Sequence, residues 1–193
     1  MSPRGLIFDF DGTLADTMPL HFRAWQVLCE RHGMIFPKER LYALGGVPSR
    51  DILRMLKEEQ NLVIDPLVVA KEKEEEYLRL LTEVEPIHVV MDIAREHRGR
   101  VPLAVASGGT RRVIEIVLKH LGVREWFHAV VTSEDVANQK PAPDIFLEAA
   151  RRIGVAPEHC VAYEDTDLGM TAIRAAGIRA VDVRELLGAA SAK

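Results

Sequence analysis

The sequence predicts an α/β fold, in which a parallel sheet of five strands is covered by helices and an all-helical segment follows the first strand. Short apolar runs, typical of strands buried on both faces, alternate with amphipathic helical patterns over the second half of the chain. Before them, residues 17–85 contain helical patterns and no convincing strand. Polar clusters also follow several strand runs, where parallel sheets form ligand sites.

The first strand is predicted from the apolar run Leu6-Ile7-Phe8, and Asp9-Phe10-Asp11-Gly12 follows it at once. Carboxylates are costly to bury unless they are paired, so two aspartates at the end of a buried strand indicate a bound cation. An ordinary turn is the alternative, since Asp and Gly are common turn residues. The motif alone leaves both interpretations open.

Four helices are predicted between this strand and the second. Asp16 or Thr17 is a candidate cap for the first of them, and Gly33 ends it. The run of charges from Lys71 to Glu76 is interpreted as a solvated helix face with near-neighbour ion pairs. The predicted helices cover residues 17–33, 37–44, 48–60 and 66–83.

The second half predicts alternating helices and strands, hence right-handed βαβ units and a parallel sheet. We therefore expect a core made of residues 1–16 and 86–193, and a helical cap made of residues 17–85. Residues 188–193 are expected to fray. The predicted strands cover 102–106, 129–132, 160–163 and 180–182, and the helices cover 87–97, 110–121, 144–153 and 168–176.

Composition indicates an ordinary globular chain. Its 193 residues suit one domain with a modest insertion, 48% of them are hydrophobic and the net charge is -4. This charge gives no reason to expect nucleic-acid or membrane partners, and no apolar run reaches about 18 residues. Cys29 and Cys160 are expected to be buried thiols. We expect a cytoplasmic protein, a monomer, that binds a small molecule.

Two further clusters could contact an anion. Ser107-Gly108-Gly109-Thr110 follows a strand run and begins a helix, an arrangement that suits a phosphate, although an N-cap with turn glycines is an equal alternative. Lys140 precedes the Pro141-Ala142-Pro143 segment, which would hold it in a defined place. A lysine fixed there could neutralise charge during phosphoryl transfer, whereas a plain surface lysine is the alternative.

A second acidic pair, Glu164-Asp165, follows the fourth strand run. It would supply another carboxylate for a hard divalent cation, since magnesium is held by one or two carboxylates with waters and substrate oxygens. The alternative role of this segment is to cap the next helix through Thr166 and Asp167.

Together these motifs resemble the haloacid dehalogenase-like superfamily of phosphotransferases, and the resemblance covers essentially the whole chain. It rests on four motifs in order, and the helical insertion resembles the small cap of the β-phosphoglucomutase-like branch. The resemblance implies a Rossmann-like sheet with strand order 5-4-1-2-3. The motifs are Asp9-Phe10-Asp11-Gly12-Thr13, Ser107, Lys140-Pro141, and Glu164-Asp165 with Gly169.

The resemblance also implies residue roles. Asp9 would be the nucleophile that forms an aspartyl-phosphate, and Asp11 would transfer protons as acid and then as base. Mg²⁺ would be held by Asp9, the backbone carbonyl of Asp11 and Asp165, with Glu164 as a further or indirect ligand. The phosphoryl oxygens would be bound by Ser107, Gly108 and Lys140.

The cap would select the substrate, with His21, Gly46 and Lys73 as candidate contacts. The loop Leu44–Arg50 and the segment Gly109-Thr110 lack the lysines of the mutases. The chain therefore looks closer to small bacterial sugar phosphatases that act on fructose 1-phosphate, 6-phosphogluconate and related compounds. A β-phosphoglucomutase-type isomerase and a non-catalytic binding protein are the alternatives, and Asp11 disfavours a dehalogenase.

Overall fold

The computed structural model of the chain describes residues 3–45 and 47–191. Its main sheet has five strands in the order β5-β4-β1-β6-β7, and every neighbouring pair is parallel. Two short strands, β2 and β3, form a separate antiparallel pair. The strands are β1 (Gly5–Phe8), β2 (Ala15–Asp16), β3 (Glu85–Pro86), β4 (Leu103–Ala106), β5 (Ala129–Val131), β6 (Cys160–Glu164) and β7 (Arg179–Asp182).

The pair β2–β3 is absent from the predicted strands. Each has only two residues, too short for the alternating pattern by which strands are recognised. When the five strands of the main sheet alone are numbered along the chain, their observed order reads 5-4-1-2-3 from one edge. The predicted α/β fold with a parallel five-stranded sheet is therefore found, and β1 lies at its centre.

Helices α1–α4 all lie between β2 and β3, so the two short strands close the base of the predicted insertion. The expected fraying is wrong for residues 188–191, because the last helix, α9, continues as far as Ser191, while residues 192–193 lie outside the described residues. The helices are α1 (Met18–His32), α2 (Lys38–Ala43), α3 (Ser49–Gln60), α4 (Pro66–Leu80), α5 (His88–His97), α6 (Arg111–His120), α7 (Asp144–Arg152), α8 (Asp167–Ala175) and α9 (Val183–Ser191).

Each face of the main sheet has its own apolar core, because side chains alternate along β1. Phe8 belongs to one cluster and Ile7 to the other. A third cluster, which includes Trp25, Leu53 and Leu56, lies within the helical segment. This separate core supports the proposed division into an α/β core and a helical cap.

The charged run of α4 is not the uniform solvated face that composition predicts. Lys73 is buried, with 6% of its surface exposed. Glu72 and Glu76 accept hydrogen bonds from Arg31 of α1, so the ion pairs join two helices. The run thus helps to pack α4 against α1.

Two smaller expectations concern the thiols and the membrane. Cys160 is buried as predicted, Cys29 is half-buried, and neither forms a disulfide within the part of the chain that the structure describes. Of the helices in that same part, none combines the length and the apolar character needed to cross a bilayer.

Candidate active site

The predicted polar clusters meet at one edge of the main sheet, where the carboxyl ends of β1, β4 and β6 lie side by side. A cavity of about 620 Å³ opens there, between the strand ends and the cap helices. Its size is that of a small-molecule site. Eight of the predicted site residues line it: Asp9, Asp11, His21, Lys73, Ser107, Gly108, Lys140 and Glu164.

Lys140 lies buried between two carboxylates. Its Nζ donates to Asp9 Oδ1 at 2.5 Å and to Glu164 Oε2 at 2.6 Å, and only 3% of its side chain is exposed. Burial alone would lower the pKa of Lys140, but the charges of Asp9 and Glu164 raise it well above its ordinary value. Lys140 is therefore a permanent cation beside Asp9, rather than a surface lysine.

Asp9, Glu164 and Asp165 form a compact acidic cluster, with one oxygen of each within 4.8 Å of the others. Burial, followed by the charge of Glu164, raises the pKa of Asp9, and the same two causes raise the pKa of Asp165 to about 7. One lysine cannot balance three carboxylates. This all-oxygen donor set fits a hard divalent cation such as Mg²⁺.

Two residues of the first motif hold Asp165 in place. Thr13 Oγ1 donates to Asp165 Oδ1 at 2.9 Å. Gly12 has a φ of +80°, and a Cβ on it would lie 2.3 Å from Asp165 Oδ2. The glycine is therefore required both by its backbone conformation and by the close approach of the carboxylate.

Glu164 is fully occupied by protein donors. Its Oε1 accepts from the backbone N–H groups of Asp165 and Thr166 and from the Thr166 hydroxyl, while its Oε2 accepts from Lys140. The Thr166 hydroxyl also accepts from Gly169 N at 3.0 Å, so Thr166 caps α8 as expected. These bonds favour an indirect role for Glu164 at a metal, through Lys140 and the loop.

Gly169→Ala is expected to disrupt this carboxylate, because the new Cβ would lie 1.9 Å from Glu164 Oε2 in a fully buried position. We expect a loss of about 1–3 kcal/mol in unfolding free energy, measured by urea denaturation. Gly188→Ala in α9 is the matched control, since its Cβ meets nothing within 4 Å. Equal stability of the Gly169→Ala and Gly188→Ala variants would contradict the steric explanation.

Asp11 points away from the acidic cluster and towards the cap. Its Oδ1 accepts from Thr17 Oγ1 at 2.6 Å and lies 3.2 Å from His21 Nε2. Burial opposes ionisation of Asp11, but the hydrogen bond and charge of His21 and the bond from Thr17 together lower its pKa. The side chains of Asp9 and Asp11 thus have different surroundings.

His21 and Lys73 form a chain that leads to Asp11. Lys73 Nζ lies 2.5 Å from His21 Nδ1, and the His21 ring stacks on Tyr77 with centroids 4.0 Å apart. Burial lowers the pKa of Lys73 to about 8, and burial with the charge of Lys73 lowers the pKa of His21. Both residues line the cavity, but their nearest partners are one another and Asp11.

Neither Thr17 nor Tyr77 is among the predicted site residues. Thr17 is at the N-cap position of α1, yet its hydroxyl makes no capping bond and goes to Asp11 instead. Tyr77 lies four residues after Lys73, on the same face of α4. That helical spacing is the one sequence signal that could have revealed it.

The predicted phosphate-binding segment also lines the cavity. Ser107 is buried, and its Oγ accepts from Gly109 N at 3.0 Å. Thr110 Oγ1 donates to Glu74 Oε1 of α4 at 3.2 Å, which links the core to the cap. Gly46, the remaining cap candidate, lies outside the described residues.

A parallel sheet, an acidic cluster with a buried lysine at its edge, and a helical cap over one cavity are features of the hydrolase class that the motifs resemble. Residues 6–183 match the family model described as haloacid dehalogenase-like hydrolase. The chain belongs to the haloacid dehalogenase-like hydrolases, and the predicted resemblance is confirmed.

Relatives named as phosphatases support the same class. The chain is 43% identical to fructose-1-phosphate phosphatase YqaB of Escherichia coli strain K12, over 94% of this chain and 97% of the relative. It is 31% identical to a phosphorylated carbohydrates phosphatase of Thermotoga maritima, over 91% and 82%. The structure of β-phosphoglucomutase from Clostridium difficile superimposes with a TM-score of 0.84 at 25% identity, over 94% and 84%.

Proposed function

We propose that this chain is a magnesium-dependent phosphatase that hydrolyses a small sugar phosphate, such as fructose 1-phosphate, through an aspartyl-phosphate on Asp9. The observation that carries the proposal is the pairing of Asp9 with Lys140, 2.5 Å apart and buried at the floor of the cavity. The phosphatase relatives support the substrate class.

The first step is attack by a carboxylate oxygen of Asp9 on phosphorus, with cleavage of the bond between phosphorus and the sugar oxygen. The leaving oxygen takes a proton from Asp11. In the second step, Asp11 takes a proton from a water molecule as that water attacks phosphorus, which releases phosphate and restores Asp9. Lys140, Ser107 and the Gly108 backbone bind the phosphoryl oxygens.

The cation would be held by Asp9 and Asp165, with the Asp11 backbone carbonyl as a further ligand and Glu164 acting through Lys140. Bound magnesium supplies positive charge that neutralises the phosphoryl group and favours the ionised form of nearby carboxylates. The protein surroundings alone raise the pKa of Asp9 and lower that of Asp11. Asp11 is thus poised as the base of the second step, and must bind a proton before the first.

Phosphate release from a panel of sugar phosphates, with and without Mg²⁺, tests the proposal. Magnesium-dependent turnover of at least one sugar monophosphate is expected. Failure on the whole panel by well-folded protein would refute the proposed function.

The second candidate is a β-phosphoglucomutase-type isomerase, which the similarity to the Clostridium difficile structure favours. β-Glucose 1-phosphate supplied with its bisphosphate separates the two activities. A phosphatase releases free phosphate, whereas a mutase produces glucose 6-phosphate.

Magnesium should make the stability of the protein less dependent on pH. The pKa of Asp165 is about 7 when folded, against about 3.9 when unfolded, so without metal the native state binds more protons over this range. The contribution of Asp165 to stability should therefore fall as pH rises from about 4 to about 7 in EDTA. Because the cation replaces the proton, Mg²⁺ at about 100 times its Kd should add about 3 kcal/mol near pH 8 and less near pH 5.

Melting temperatures across this pH range, in EDTA and in Mg²⁺, provide the measurement. Asp165→Asn is the control, since it keeps the shape of the side chain and removes the titration. Equal magnesium shifts at both ends of the range would contradict the prediction.

The monomeric state and the cytoplasmic location stay predictions from the sequence.

A further inference from the structure

Glu74 is a carboxylate of the cap that faces the cavity. One face of α4 lines the cavity, with residues three or four positions apart: Leu67, then Ala70 and Lys71, then Glu74. Glu74 is half-buried, whereas the next residue, Glu75, is exposed and is not part of the lining. The position of Glu74 on the helix therefore places its charge against whatever occupies the cavity.

Glu74 has fewer hydrogen-bond partners than Glu72 and Glu76, its acidic neighbours on the same helix. Within the described part of the chain, its one hydrogen bond is from Thr110 Oγ1 to Oε1, and no cation lies within ion-pair distance. Glu72 and Glu76, by contrast, both bond to Arg31. A carboxylate can accept about four hydrogen bonds, so most of the acceptor capacity of Glu74 is available to a ligand.

The hydrogen bond from Thr110 also holds the Glu74 carboxylate in a defined position. Thr110 is the last residue of the predicted phosphate-binding segment, so Glu74 contacts the end of that segment. The neighbouring cap wall is largely apolar, although Ser49, Arg50 and Lys71 also line it. Its apolar lining residues are Met18, Trp25, Leu41, Leu44, Val47 and Ile52.

We propose that Glu74, oriented by Thr110, accepts a hydrogen bond from a hydroxyl group of the uncharged sugar part of the substrate, and so determines specificity. The inference rests on the proposed function, because it assumes that the phosphoryl group lies at Asp9 and Lys140. A charged acceptor in a partly desolvated cavity favours a ligand that donates and disfavours one that leaves the acceptor unpaired.

The experiment compares Glu74→Gln with wild type on two substrates in Mg²⁺. Fructose 1-phosphate carries hydroxyl groups, and phenyl phosphate has the same scissile phosphate without them. We expect the substitution to lower kcat/KM for fructose 1-phosphate about 10- to 100-fold and to leave phenyl phosphate hydrolysis unchanged. Glu75→Gln is the matched control and should change neither value.

The possible outcomes are distinct. Equal loss on both substrates would overturn the proposal, because Glu74 would then act through cap closure or folding. No loss on either substrate would also overturn it. If wild type hydrolysed phenyl phosphate and no sugar phosphate, the proposed substrate class would be wrong and the inference would fall with it. If wild type hydrolysed fructose 1-phosphate and Glu74→Gln did so equally well, the inference alone would be wrong.

Discussion

Asp9→Asn is expected to lower phosphatase kcat by at least about 10⁴-fold while the protein stays folded. The amide of asparagine cannot attack phosphorus to give an acyl phosphate, so the covalent step is lost rather than slowed. Folding should survive because Lys140 keeps its bond to Glu164 and a buried carboxylate with a raised pKa is removed.

The measurement is phosphate release in Mg²⁺, with circular dichroism to verify folding. Acid quenching during turnover, followed by mass spectrometry of the peptide that contains Asp9, should detect a phosphate adduct in wild type and none in the variant. Asp92→Asn, at an exposed position of α5 outside the cavity lining, is the control and should keep full activity. Magnesium-dependent turnover by the Asp9→Asn variant near the wild-type rate would exclude Asp9 as the nucleophile.

The fold could be predicted from sequence because its signals are local. Apolar runs such as Leu6–Phe8 and helical periodicity depend on neighbouring residues, and the parallel topology follows from their alternation. The ends of β1, β4 and β6 then share one edge of the sheet, which is why Asp9, Ser107 and Glu164 meet. The order of the strands along the chain and their parallel direction were therefore enough to predict that these three residues lie close together.

The contacts that could not be predicted are those in which a side chain has several possible partners and only the fold decides between them. The hydroxyl of Thr17 suits a helix cap equally well, but the fold places the Asp11 carboxylate within 2.6 Å of it. Lys73 lies in a run of charges that reads as solvated, yet Val69, Lys73 and Tyr77 recur every four residues and form the buried face of α4. Charge composition obscured this spacing.

Gly169 is a residue that the motif includes but whose role only the structure explains. The motif resemblance includes this glycine, but nothing in the sequence says why a side chain is excluded. Its missing Cβ leaves room for Glu164, which in turn holds Lys140 beside Asp9. Glycine at this position therefore affects the position of Asp9, the proposed nucleophile, through two buried charges.

Lys140→Met is expected to destabilise the protein by about 3–5 kcal/mol in EDTA, since it leaves Asp9 and Glu164 buried without their common cation. Phosphatase activity should fall at least about 10²-fold, because in the proposed mechanism the lysine also stabilises the transferring phosphoryl group. Urea denaturation and phosphate release measure the two effects. Lys57→Met, at an exposed position of α3, is the control for loss of a positive charge.

The pH dependence distinguishes lost charge from lost packing. Without Lys140, the pKa values of Asp9 and Asp165 should rise further, so the native state of the variant binds protons that the unfolded chain does not. Stability of the variant should then fall more steeply with pH than that of wild type, and its deficit should be larger near pH 8 than near pH 5. Mg²⁺ should stabilise the variant more than wild type, because a cation can replace part of the missing charge. A deficit that is independent of both pH and Mg²⁺ would contradict the prediction, because the loss of a charge beside titrating carboxylates depends on both, whereas a loss of packing depends on neither.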